Sequence, residues 1–256
     1  MLTVISPAKS LNLDPVDAVP TRPDFPAMTA QLLEVARGLS AADLSAMMKI
    51  SDKLGRLNAA RFADWDAAPE KPAAFAFAGD TYVGLDAPTL DGDALRWAQA
   101  HLRILSGLYG LLRPLDALRP YRLEMGTRLP NPRGRDLYAF WGDRLARALD
   151  AQAEETGARH LLNCASQEYF AAVDPTALRL PVVTPVFLDD GPKGPRVVSF
   201  HAKRARGAMA RFVQERRIVD PGDLRAFDGG GYAWQADRST PDRPVFLRTE
   251  AAARAA

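Results

Sequence analysis

Leu102 to Met125 reads LRILSGLYGLLRPLDALRPYRLEM, and the fold class turns on how this stretch is read. It is apolar over most of its length, yet it is no ordinary helix. Gly107 and Gly110 permit positive φ or the close approach of another backbone. Pro114 and Pro120 remove donors and forbid a helix interior, so the chain must turn repeatedly here. Arg113, Arg119, Arg122 and Glu124 are then displayed from irregular backbone between Leu and Tyr anchors. Two readings stand: a buried crossover whose arginines pair with acids elsewhere, or a rigid cationic wall of a binding cleft.

On the N-terminal side the pattern predicts a helix over Asp91 to Leu105, with acids in its first turn and Leu95, Ala98, Leu102 and Leu105 on one face. On the C-terminal side a short strand and the NPRGRD turn lead into a helix from Asp136 to about Glu155. Leu137, Phe140, Trp141, Leu145 and Leu149 face inward there. Further out, Met1 to Ile5 reads as a buried strand followed at once by SPAKSL. Such a strand-to-loop turn carrying Lys9 is either plain connection or a place where α/β proteins put ligand groups.

Asp14 to Pro26 holds four prolines and reads as an extended surface loop. A helix over Ala27 to Arg37 follows. Ser40 and Asp43 then open a second helix with a capping-box start, and Leu44, Met47 and Met48 form its buried stripe. Ser51 caps a third helix that carries Gly55 in its interior. Helix, tight turn, helix is the outline of a helix-hairpin-helix element. It would hold a phosphate with hairpin N–H groups and with Lys49, Lys53, Arg56 and Arg61. The bland alternative is two packed helices with solvated basic faces.

Ala73 to Leu85 reads as two strands joined at Gly79 and Asp80, with Asp80 a turn former or an acid aimed into a site. Leu161 to Cys164 is a strand opening into ASQEYF, which sets Asn163, Ser166, Glu168 and Tyr169 at a strand-to-helix junction. Val182 to Leu188 and Arg196 to His201 suggest a hairpin across DDGPKGP, and GGGYAW with VFLRTE a terminal hairpin. Between them runs AKRARGAMARFVQERR. Its apolar stripe of Ala205, Ala208, Met209, Phe212 and Val213 leaves Lys203, Arg204, Arg206, Arg211, Arg216 and Arg217 on other faces. Glu215 is the only acid in that segment, which favours an anion-facing surface.

The 256 residues are 47% apolar and 25% charged, average for a soluble globular chain. No run approaches the roughly 20 apolar residues that cross a bilayer, and no signal segment is visible, so a cytoplasmic protein without membrane contact is expected. The single cysteine, Cys164, excludes an intrachain disulfide and reads as a buried inert thiol. His101, His160 and His201 show no ligand spacing, so no metal or other cofactor is expected. Net charge is only +2, so affinity for nucleic acid would require basic residues segregated onto one face.

MLTVISPAKSL, KISDKLGRLNAARF, FAGDTYVGL, HLRILSGLYGLLRPLD, PYRLEMG, LYAFWGD, NCASQEYF, PVFLD, SFHAKRARG and GYAW occur in this order. Together they resemble the peroxide stress protein YaaA family over nearly the whole chain. The resemblance implies a cytosolic protein of the oxidative-stress response that limits damage from peroxide and free iron. It also implies a basic cleft and a helix-hairpin-helix element associated with DNA binding.

Residues and resemblance together lead to one expectation. The fold is α/β of mixed α+β character: a single compact domain over residues 1–250, with a mixed sheet flanked by helices, and an Ala-rich tail at 251–256 that frays. The expected partner is double-stranded DNA held by its backbone phosphates. Lys9, Lys49, Lys53, Arg56, Arg61, Arg103, Arg113, Arg122, Lys203, Arg204 and Arg206 are the candidate phosphate contacts. Ser6, Pro7, Gly79, Gly107, Gly110, Asn163 and Ser166 would shape the cleft. The alternative is an enzyme acting on a phosphorylated small molecule or a nucleic-acid end, with Asp80, Glu124, Glu168 and Tyr169 as acid–base candidates. Direct iron sequestration is disfavoured by the scattered histidines and lone cysteine.

Overall fold

In a computed structural model that describes residues 1–192 and 194–255, the Leu102 stretch begins with a strand rather than the end of a helix. The first half of the chain contains β1 (Leu2–Ile5), β2 (Ser10–Leu11), α1 (Pro26–Arg37), α2 (Ala41–Met48), α3 (Asp52–Ala63), β3 (Lys71–Pro72), α4 (Ala73–Ala76), β4 (Phe77–Ala78), α5 (Asp80–Leu85), α6 (Gly92–His101), β5 (Leu102–Ser106), β6 (Gly110–Leu112) and β7 (Ala117–Leu118). The second half contains α7 (Leu137–Trp141), α8 (Arg144–Thr156), β8 (Leu161–Cys164), α9 (Gln167–Phe170), β9 (Val182–Val183), β10 (Val186–Asp189), α10 (Ser199–Arg216), β11 (Ala233–Trp234), β12 (Val245–Arg248) and α11 (Glu250–Ala255). Lys193 of the DDGPKGP loop and Ala256 of the tail lie outside the described residues.

The central sheet has the order β6-β5-β1-β8-β9. β1 runs parallel to β5 on one side and to β8 on the other, while β6 returns antiparallel to β5. A three-stranded sheet, β10-β12-β11, and two short ribbons complete the pairing, giving a single α/β domain of mixed sheets flanked by helices. The chain leaves β1 toward β5 and later returns to β8 on the opposite side. β1 is therefore a switch point, and the carboxyl ends of β1 and β8 open side by side.

All of β1, β5 and β8 is buried, as parallel strands covered on both faces must be. This explains the misplaced helix end at Leu102 and Leu105: a continuously apolar run satisfies the helical i, i+3 spacing and a buried strand alike. Around the sheet pack Phe62, Phe140, Trp141, Phe187 and Phe246, each wholly buried.

Other local expectations are also corrected. Ala73 to Leu85 is not two strands but helix α4, the two residues of β4, and helix α5. Only Phe77 and Ala78 find a partner strand, in β2. The expected helix over Asp136 to Glu155 is broken at Gly142, whose φ of 52° leaves the right-handed helical region, so α7 and α8 are separate. The expected strand after Met125 is reduced to one bridge between Asn131 and Gly134. In the segment read as a hairpin across DDGPKGP, Asp189 and Arg196 form a single bridge. β10 pairs instead in parallel with β12, and α10 has started by Ser199. β11 and β12 do form the antiparallel terminal hairpin. Glu250–Ala255 form α11, with Ala252 close to Gly231.

The caps of α2 and α3 agree with the sequence. Ser40 and Asp43 form a reciprocal capping box, and Ser51 accepts the Leu54 N–H. The two helices are joined by Lys49 to Ser51, with Lys49 in the left-handed region at φ 53°. Gly55 is needed where they meet, since a Cβ there would lie 2.5 Å from the Ala41 carbonyl oxygen. No helix among the described residues is long and apolar enough to cross a membrane.

Candidate functional site

β1 and β8 are adjacent and in register, Ile5 opposite Cys164, so the residues that follow each strand meet. The Ser166 N–H donates to the Ser6 hydroxyl at 2.8 Å, and the two side-chain oxygens lie 3.3 Å apart. Ser166 also caps α9, accepting from the Tyr169 N–H, which sets Glu168 and Tyr169 beside the loop after β1. From the other direction Gly79 brings α5 close: a Cβ there would sit 3.3 Å from that of Ala8. Tyr82 on α5 donates its hydroxyl to the Ser6 carbonyl at 3.1 Å.

The last wall is α10, which crosses α5 backbone to backbone. A Cβ on Gly207 would lie 1.8 Å from the Thr81 carbonyl oxygen, and one on Gly84 2.0 Å from that of Arg204. Only glycine at both positions lets the helices approach so closely. The crossing carries Lys203 and Arg206, one turn apart, over Asp80 and the strand ends. The result is a cavity of about 350 Å³ lined by Ser6, Pro7, Lys9, Gly79, Asp80, Ser166, Glu168, Tyr169, Lys203 and Arg206. Ala8, Ser10, Ala78, Thr81 and Cys164 complete the lining; no local motif singles out these small or neutral side chains.

Charge in the cavity is mixed and only partly paired. Lys9 Nζ lies 3.0 Å from Glu124, whose other oxygen receives the Arg122 guanidinium at 2.7 Å. Glu124 is thus shared by two cations at the rim. Glu168 accepts the Gly126 N–H at 3.0 Å. Among the described residues, no ion pair involves Lys203, Arg206, Asp80 or Glu168. Burial, with Tyr121, Glu168 and Glu124 nearby, holds the Tyr169 phenol well above its ordinary value, so it remains a neutral hydroxyl. Burial likewise pushes the Cys164 thiol up to about 12 against the pull of Arg206, which leaves it protonated and unreactive.

Several nominated residues lie elsewhere. Lys49, Lys53, Arg56 and Arg61 belong to the α2–α3 segment and contribute nothing to the lining. Arg103 is buried in β5 and donates to the carbonyls of Gln99 and Leu102 and to Gln152; burial pushes its guanidinium down to about 10, still charged at neutral pH. Arg113 is held by the fully buried Asp116 at 2.9 Å and by Asp24 at 3.4 Å. Gly107 and Gly110 serve packing: a Cβ on the first would press on the Leu123 carbonyl, one on the second on the Trp141 ring. Asn163 turns back to accept the Ala165 N–H at 3.0 Å. Arg204 faces a different cavity from Lys203 and Arg206. Among the described residues no three His, Cys, Asp or Glu side chains gather as metal ligands.

Comparison with known proteins places the chain in a family. The family model described as peroxide stress protein YaaA matches residues 1–238. A UPF0246 protein of Jannaschia sp. is 58% identical over 258 residues, with all of both chains covered. One from Ruegeria pomeroyi is 56% identical, covering 97% of this chain and 98% of its own. A third, from Cereibacter sphaeroides, is 59% identical over 97% of this chain and 99% of its own. With full-length similarity of this order and a family model spanning nearly every element of the fold, the chain belongs to the peroxide stress protein YaaA family.

Proposed function

We propose that the chain binds DNA through backbone phosphate, with the cavity at the ends of β1 and β8 holding one phosphate group. The observation that carries this reading is the pair Lys203 and Arg206, which face the cavity from successive turns of α10 with no carboxylate in pairing distance among the described residues. Cations left without carboxylate partners retain their attraction for phosphate, and the Ser6 and Ser166 hydroxyls beside them can complete its hydrogen bonding. On this reading Lys49, Lys53, Arg56 and Arg61 on the α2–α3 segment act as a helix-hairpin-helix contact to the same ligand. Covering the backbone in this way would shield DNA from peroxide- and iron-driven damage, in keeping with the family's name.

Affinity for a short duplex should therefore fall steeply with salt. Lys203→Ala and Arg206→Ala should each flatten the log–log slope by about 0.9. Fluorescence anisotropy across a salt series measures this; a slope that neither substitution changes defeats the proposal.

A second reading has its own observation. Asp80 and Glu168 enter the same 350 Å³ space without cationic partners among the described residues, and that volume suits one small group rather than a duplex. Backbone binding alone needs no acids, whereas chemistry at a phosphorylated small molecule or nucleic-acid end does. Mass spectrometry of phosphorylated oligonucleotides incubated with the protein and with Asp80→Asn separates the two: product formed only by the unaltered chain supports an enzyme, and intact oligonucleotide with both supports binding alone.

A further inference from the structure

The helix that carries Lys203 and Arg206 into the first cavity presents a different face to another. His201, Arg204 and Ala208 follow the three-to-four-residue period of one helix face. That face lines a separate space of about 600 Å³, bounded also by Val83 of α5. Asp80 borders both cavities.

The polar groups here are sorted by what they already hold. Arg248 is committed to Asp189, Nε to Oδ1 at 2.7 Å, and Tyr232 donates its hydroxyl to the other oxygen of that carboxylate at 3.0 Å. Arg211 donates to the Leu85 and Asp86 carbonyls and pairs with Glu215 at 2.7 Å. His201 turns Nδ1 toward Asp189, 3.3 Å away, without an aligned hydrogen bond. The opposite ring nitrogen, Nε2, is thereby directed away from that carboxylate. Arg204 is exposed and makes no ion pair among the described residues. One cation without an ion-pair partner among the described residues therefore remains at this cavity, the Arg204 guanidinium.

The carboxylates of Asp80 and Asp86 also border this space, and beside them lie two large apolar side chains. Val83 and Phe200 are each 57% exposed, and both border this cavity. The Phe200 ring lies 3.8 Å from the His201 ring, centroid to centroid, so a planar aromatic surface adjoins the imidazole. A lone phosphate fills only a small part of 600 Å³ and gives no use for Phe200. A flat ring stacked on Phe200 with its anionic group at Arg204 uses both side chains.

We infer that this cavity is a second binding site, for an aromatic anion of the size and chemistry of a nucleoside monophosphate. It does not depend on the first cavity's holding DNA.

The test is calorimetric titration of the full chain with AMP, adenosine and inorganic phosphate as separate probes. Saturable AMP binding should weaken about tenfold in Arg204→Ala, the scale of one charge-assisted contact. Phe200→Ala should weaken both AMP and adenosine, and Lys203→Ala should leave AMP binding as it was. Arg204 and Phe200 are exposed, so both variants should fold, which thermal melting checks. The inference is overturned if AMP does not bind saturably, or if inorganic phosphate binds as well as AMP and Phe200→Ala changes nothing. It is also overturned if AMP binding is lost in Lys203→Ala but kept in Arg204→Ala; AMP would then occupy the first cavity, and the phosphate reading of that cavity would gain support.

Discussion

Gly207→Ala should lower stability and disable the first cavity together, because one backbone crossing supports both. In ordinary helix interiors this substitution is favourable by about 1 kcal/mol. Here the added methyl would lie 1.8 Å from the Thr81 carbonyl oxygen, 2.8 Å from its carbon and 2.9 Å from the Leu85 nitrogen. All three obstacles are backbone, so no rotamer relieves them. Restoring a separation of roughly 3.4 Å requires α5 and α10 to part by about 1.6 Å. With every obstacle in the backbone, the overpacking falls at the upper end of the usual range, about 3 kcal/mol, which exceeds the propensity gain. With a net loss of about 2 kcal/mol, the melting temperature of a chain this size should fall by about 4–8 °C. The same displacement changes the spacing of Asp80 and Thr81 from Lys203 and Arg206, so if the cavity holds a DNA phosphate as proposed, DNA affinity should drop as well. Gly92→Ala is the matched control. It lies in the first turn of α6, and its new methyl would meet only the far end of the Arg96 side chain, at 3.3 Å. Calorimetric melting and anisotropy titration on both variants decide the matter. If Gly207→Ala melts at or above the temperature of the unaltered chain and still binds DNA, the crossing is not the rigid support inferred here.

Asp116→Ala should destabilise the fold by about 3 kcal/mol in a denaturant titration. The wholly buried carboxylate accepts the Arg113 N–H at 2.7 Å and the Thr21 hydroxyl at 2.6 Å, as well as pairing with the guanidinium. On the proposed DNA-binding reading, affinity of the folded fraction should be unchanged, since Arg113 does not line the cavity. Cys164 should resist iodoacetamide at pH 8 in the native protein and react readily in denaturant. Its folded pKa is raised, so the unfolded chain loses its thiol proton first; stability contributed by the neutral thiol is present below about pH 9 and declines as pH rises toward 12. Cys164→Ala should make that alkaline decline shallower, and an unchanged alkaline slope would show that the thiol is not buried as described.

Much of the architecture was legible because its signals are local. The capping box at Ser40, the Ser51 cap, the buried strand before SPAKSL and the apolar stripe of α10 all depend on residues within a turn or two of one another. What failed depends on pairing. Leu102 and Leu105 are three apart and suit a helix equally well; only the neighbouring β1 makes them a strand. The meeting of Ser6 with Ser166 comes from strand register across 160 residues, and the Gly84–Gly207 crossing joins helices 114 positions apart by the numbering. Neither leaves a periodic trace in one sequence. Gln214, fully buried yet polar, was unremarkable until β1 supplied Thr3 as its partner at 3.2 Å.

The same distinction governs the cations. In the sequence Arg103, Arg113, Arg122, Lys203, Arg204 and Arg206 are equivalent, each a positive charge beside apolar anchors. Folding separates them by what each one touches. Arg103 donates to carbonyls at the end of α6, Arg113 is locked to Asp116, and Arg122 shares Glu124 with Lys9. A guanidinium already held in this way must give up existing bonds to take a ligand, which offsets what binding would gain. The cations of α10 at 203, 204 and 206 carry no such commitment among the described residues, and they differ instead in direction: 203 and 206 toward the strand ends, 204 toward His201 and Phe200. One helix, held at fixed depth by Gly207, thus divides its unspent charge between two cavities. Substitutions at 203 and 204, adjacent in sequence, should therefore act on different ligands.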